Sequence, residues 1–198
     1  MTTAFDREGL NQLLYQTRET TLRAIAVYDA ALACATRDEL GDEWRAHRDA
    51  ARRRAQLLGT AFDALGLDAD TTSRGRTAAA ALGKSLLEVI AYAAQGDDRA
   101  AAERVAAECV LLVETKDQLN RTLLGIAAER ITGPVAQVLK DMVEAVETDG
   151  EPRVLHARGW SRELWLDALG LAAVLPPPEE VTPGPAQGDA GEPRGLAR

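Results

Sequence analysis

Proline is scarce over most of this chain. Only Pro134 and Pro152 precede Pro176, so few positions break a helix. Alternating runs of β-branched residues are missing too, and with them the pattern of a half-buried strand. Together these absences leave an all-α class. Cysteine is limited to Cys34 and Cys109, without CxxC spacing, which removes zinc knuckles and thioredoxin-like redox motifs. Both cysteines read as small buried hydrophobes. Positive charge is in deficit, 23 Lys and Arg against 31 Asp and Glu for a net charge of −8. That balance argues against nucleic acid or an anionic membrane as a partner. No window reaches the roughly 18 apolar residues of a membrane span. The opening MTTAFDREGL lacks the basic and apolar regions of a signal peptide, so the cytoplasm is the expected location. Phosphate-loop, GxSxG and HExxH motifs are also absent.

What is present is helical periodicity. In 198 residues that are 46% hydrophobic there is material for one core and a tail. The clearest stretch runs from Asp38 to Asp68. Leu40, Trp44, His47, Ala51, Ala55, Leu58, Phe62 and Leu65 recur at steps of three and four, which places them on one helix face. His47 lies within that stripe and is the first candidate for chemistry. Arg45, Arg48, Arg52, Arg53 and Arg54 form a basic cluster on the same helix. Its expected state is a solvated face paired with Asp42, Glu43, Asp49 or a neighbouring helix.

A first helix is predicted from Asp6 to Thr36, capped by Thr3 or Asp6. Threonines Thr17 and Thr21 stand mid-stripe, and Glu19 is expected to face water, about 200° round from Thr17. The short link to Asp38 makes the first two helices antiparallel, and Gly66 ends the second. A third helix, Thr77 to Gln95, turns Leu82, Leu86, Val89, Ile90 and Ala93 inward. A fourth starts at Asp97 or Asp98 and reaches about Gly125, with Val105, Glu108, Cys109, Leu112, Leu119 and Leu123 inward. A fifth begins near Thr132 with Pro134 in its first turn. Its stripe is Val135, Val138, Leu139, Met142 and Val146, with Glu144 and Glu147 pointing away and Gly150 and Pro152 ending it. A short terminal helix covers Val154 to Gly170. Residues 172–198, rich in Pro, Gly and charge, are expected to be a disordered tail.

The helix pair joined by a minimal turn, with HRDAARRRAQLLGTAFDALGLD as its second member, resembles the bacterial stress-associated ferritin-like family. Phe62, Leu65 and Gly66 match its Phe-x-x-Leu-Gly ending, with His47 at the matching distance before it. AAECVLLVETKDQLN and LHARGWSRELWLDALGL are similar to later helices of ferritin-like proteins. The resemblance implies an up-down bundle over residues 1–171, with an extra helix between its halves and a short C-terminal helix. A di-iron site in such a bundle takes one carboxylate from each of two helices and a Glu-x-x-His pair from each of the other two. Here the first helix offers Thr17 and Thr21, and His47 lacks its paired carboxylate. The last helix offers Gly150 and Arg153.

The inward candidates are therefore His47, Glu108 and His156, and the expectation is a non-catalytic bundle with a degenerate metal centre and no cofactor. A stress-related or partner-binding role and a homodimer through the first two helices go with it. In that reading His47 bonds Glu108 or a threonine. The alternative is a metal-dependent oxidoreductase, di-iron or mononuclear, or an iron-handling protein. There His47, Glu108, Glu114 and His156 would hold iron or another divalent transition metal. A ligand-binding helical module is the third possibility, since a bundle without its metals leaves space in the core.

Overall fold

Side-chain caps start three of the helices. Asp6 accepts from the amide of Glu8, Ser73 from Arg76 and Asp98 from Ala101, each satisfying a donor that the first turn leaves free. The computed structural model describes residues 5–147 and 153–178, which hold α1 (Arg7–Leu32), α2 (Asp38–Leu65), α3 (Arg74–Ala93), α4 (Arg99–Arg130), α5 (Pro134–Glu147) and α6 (Arg153–Ala168). This is an all-α bundle, as the sequence led us to expect. At the end of α2, Gly66 sits at φ 66° and the amide of Leu67 returns to the Phe62 carbonyl. That left-handed turn favours glycine.

Contacts along the helices give their directions. Tyr15 meets Phe62 and Asp29 meets Arg48, so α1 and α2 are antiparallel. Along α3, Gly75, Arg76 and Gly83 meet Gln12, Glu19 and Arg23 in turn. Thus α3 runs parallel to α1 and carries the chain back along the bundle. The chain then descends in α4, antiparallel to α1, through Glu114 beside Tyr28, Asp117 beside Thr21 and Asn120 beside Gln16. Two short helices share the fourth position of the bundle. Leu139 and Met142 of α5 join an apolar cluster with Leu14, Leu58, Phe62 and Leu124 at one end. Trp160 and Leu164 of α6 join Tyr28, Leu40, Trp44 and Val110 at the other.

Between those clusters the interior is polar, and this reverses several expectations. Glu19 is buried, held by Arg23 and by Arg76 of α3, because the third helix packs over the face expected to meet water. Leu82 and Val89 are exposed while Ala79, Gly83, Leu86 and Ile90 face inward. The reversal on α4 is larger. Leu112, Leu119, Leu123 and Ile126 point outward, whereas Glu103, Glu114, Asp117 and Asn120 are fully buried. Small neighbours Ala102, Ala106, Ala107, Val110 and Val113 share that inner face and let the helices approach closely. Cys34 and Cys109 are buried free thiols, as expected.

The start of the expected tail is also placed. The amide of Val174 donates to Glu163 at 2.8 Å and Leu175 packs against the apolar cluster of Tyr28, Trp44 and Trp160. The expectations for Gly150, Pro152, the side chains of Val146 and Glu147, and the remainder of the tail fall outside the described residues.

Candidate functional site

The polar layer is built on four helices. Glu114 and Asp117 stand one turn apart on α4, both fully buried. The Tyr28 hydroxyl of α1 donates to Glu114 Oε1 at 2.9 Å, and the Thr21 hydroxyl donates to Asp117 Oδ1 at 3.1 Å. Arg54 of α2, 2% exposed, brings Nη2 to 3.2 Å from Asp117 Oδ2 and 3.9 Å from Glu114 Oε1. Arg121 donates to Asp117 Oδ2 at 3.1 Å, and Arg153 Nε of α6 lies 3.9 Å from Glu114 Oε2. Below these groups Asn120 donates to Thr20 and accepts from Gln16.

Burial governs the titration of this layer. It raises the Glu114 carboxyl, helped by the neighbouring Asp117 and opposed by Arg54, Arg153 and the Tyr28 bond. It also raises Tyr28 well above its ordinary range, with Glu114 adding to the effect. For Arg153 burial acts downward, reinforced by Arg54. A charge removed from water is disfavoured unless its neighbours compensate it. Glu114 Oε2 and Arg153 Nε have no hydrogen-bond partner among the described residues, so their attraction is one of charge alone.

The two histidines lie next to this layer. The His47 ring stands edge-on to Tyr28 and to His156, with centroids 6.2 Å apart in each case. Their common neighbour is Glu43, whose Oε1 is 4.0 Å from His47 Nδ1 and whose Oε2 is 3.8 Å from His156 Nδ1. Glu43 Oε2 also accepts from Trp160 Nε1 at 2.7 Å, which fixes the carboxylate between α2 and α6.

The candidates from sequence thus divide. His47 and His156 come together, and Glu114 reaches them through Tyr28. Glu108 does not join them. It faces α6 on the outer side, accepting from Trp165 Nε1 at 2.6 Å, so the expected contact between His47 and Glu108 is replaced by His47 and Glu43. The basic cluster divides as well. Arg45 pairs with Asp42, while Arg48 and Arg52 pair with Asp29 and Asp49, a solvated face as expected. Arg54 belongs instead to the interior. It stands seven residues after His47 and four before Leu58, a position on the buried stripe that could have identified it. The fully buried Asp117 and the buried Arg153 were likewise not among the candidates.

Glu103, the other fully buried carboxylate of α4, has a different part. It accepts from the amides of Thr36 and Arg37 and pairs with the Arg37 side chain, which also reaches Asp167 of α6. This ties the turn between α1 and α2 to α4 and α6.

Among the described residues no three His, Cys, Asp or Glu side chains gather so as to hold a metal ion. Glu114 and Asp117, the carboxylates buried in the layer, have guanidinium groups beside them, whose charge repels a metal cation. No family model, no curated protein and no solved structure matches the chain.

Proposed function

We propose that this protein is a ferritin-like bundle that works by binding rather than by metal-dependent redox chemistry. The course of the chain supports the reading: two antiparallel pairs joined by one long crossover, which α3 carries, are the ferritin-like arrangement. The observation that carries it is the pairing of Glu114 and Asp117 with Arg54 and Arg153. In a di-iron bundle the metals balance the buried carboxylates. Here cations belonging to the chain stand beside them, and Arg153 occupies the position three residues before His156 where such a bundle has glutamate. The centre is a fixed ionic layer suited to holding a scaffold in one packing.

The test is elemental analysis of protein purified with iron, manganese and zinc available, for the native chain and His47→Ala. The expected result is no stoichiometric metal in either. A stoichiometric metal that is lost in His47→Ala would overturn the reading in favour of an iron-handling protein or an oxidoreductase.

A further inference from the structure

A cavity of about 350 Å³ opens beside the ionic layer, among α1, α2, α4 and α5. Thr17, Thr21 and Arg54 line it at its buried end. Arg121 is a further cation on its wall, and Leu58, Leu124 and Met142 give it an apolar side. Glu129, exposed, stands at the mouth.

Arg54 is the group whose chemistry is incomplete. A guanidinium carries five N–H donors, and none of the three Arg54 nitrogens makes a hydrogen bond among the described residues. The 3.2 Å approach of Nη2 to Asp117 is a charge contact off the N–H direction. Leaving so many buried donors unmade is costly. In the layer three guanidinium groups, Arg54, Arg121 and Arg153, face two carboxylates, Glu114 and Asp117. One positive charge is left over, beside an empty space with one polar end and one apolar side.

We infer that this cavity binds a small organic monocarboxylate, with its head on Arg54 beside Arg121 and its hydrocarbon tail along Leu58, Leu124 and Met142. A carboxylate offers two acceptors to the planar guanidinium fork and cancels the one surplus charge. A multiply charged phosphate would exceed that charge and leave the apolar wall uncovered. This gives the proposed binding role its ligand class, and it rests on that reading only in taking the layer to be free of metal.

Isothermal titration calorimetry on the full chain tests it, with octanoate, 1-octanol and inorganic phosphate as probes. Two variants accompany the native protein. Arg54→Met removes the head contact. Gly125→Leu fills the cavity, because Gly125 lines it and a Cβ there meets nothing within 4 Å, and leucine favours the helix. Octanoate is expected to bind one per chain. Its affinity should fall about 10- to 100-fold in Arg54→Met, the worth of a charge-assisted hydrogen bond. Binding should vanish in Gly125→Leu while that variant melts at or above the native temperature. Octanoate that fails to saturate, binds Gly125→Leu undiminished, or is matched by octanol or phosphate overturns the inference. Metal found together with octanoate binding would overturn only the metal-free reading; neither metal nor octanoate binding would overturn only this one.

Discussion

Replacing Asp117 by asparagine keeps volume and shape and removes one charge from the ionic layer. The Thr21 hydroxyl can still donate to the amide oxygen, so the loss falls on Arg121 and Arg54, at 3.1 and 3.2 Å from Asp117 Oδ2. Three guanidinium groups would then face Glu114 alone. Removing one partner of a buried ion pair costs about 3–5 kcal/mol. At about 2–4 °C per kcal/mol for a chain of this size, the melting temperature should fall by roughly 6–20 °C. Arg54→Met should behave differently. Its guanidinium makes no hydrogen bond among the described residues, and its removal leaves Arg121 and Arg153 to balance two carboxylates. Each carboxylate then keeps one cation, Arg121 beside Asp117 and Arg153 beside Glu114, so no buried charge is left uncompensated and Arg54→Met should cost less than Asp117→Asn. The double variant restores the native charge surplus and should recover part of the Asp117→Asn loss, a coupling of about 0.5–3 kcal/mol. Thermal and urea denaturation followed by far-UV circular dichroism give all three values. An Asp117→Asn cost under about 1 kcal/mol, or an Arg54→Met cost larger than that of Asp117→Asn, would refute the charge accounting.

Two glycine substitutions should shift stability in opposite directions. A Cβ at Gly83 would stand 2.4–2.7 Å from three side-chain carbons of Arg23, so α1 and α3 must separate. The overlap costs about 1–3 kcal/mol, against about 1 kcal/mol gained from helix propensity. Gly59→Ala meets nothing within 4 Å and should gain about 0.5–1 kcal/mol. Urea midpoints decide both, and a stabilised Gly83→Ala would show that the seam is not close-packed. Glu103 gives an acid-side test. Burial acts to raise its carboxyl, but the Thr36 and Arg37 donors outweigh this and hold it below its ordinary value. A depressed carboxylate contributes stability that is present above its unfolded value and lost as pH falls through its folded one. Glu103→Gln should therefore flatten the acid limb of urea midpoint against pH, and an unchanged limb would sink the assignment. Burial pushes the Cys109 thiol up to about 11 and raises Cys34 as well. Iodoacetamide at neutral pH should label neither until the chain unfolds, and rapid labelling of folded protein would contradict the packing.

The sequence made α2 legible because its buried stripe is apolar except at His47 and Arg54, and Asp6, Asp98 and Gly66 announced helix ends through local chemistry. On α4 the same logic misled. Its large leucines at 112, 119 and 123 form the kind of apolar stripe that usually faces inward, yet they are exposed. The interior instead takes Glu114, Asp117 and Asn120, matched by Thr17, Thr20 and Thr21 of α1 and by Arg54 of α2. Each is a solvated residue when its helix is read alone. Their burial follows only when three helices place opposite charges and donors at one height, which a single helix does not reveal. Thr17 and Thr21, read as mid-stripe positions on α1, were one trace of that layer in the sequence. The small residues beside Glu114 were the corresponding trace on α4.

The division of the fourth position between α5 and α6 bears on how the molecule opens. Each short helix covers its own apolar cluster, and the ionic layer lies between them. Detaching one of them does not require the other to leave, so two partial openings are available below the free energy of global unfolding. Amide hydrogen exchange should sort α5 and α6 into two classes of protection, while α1, α2 and α4, which run through both clusters, keep the slowest amides. Opening at α5 would bare Met142 and the cavity wall with Trp160 still packed. A guest could then enter without the whole bundle coming apart.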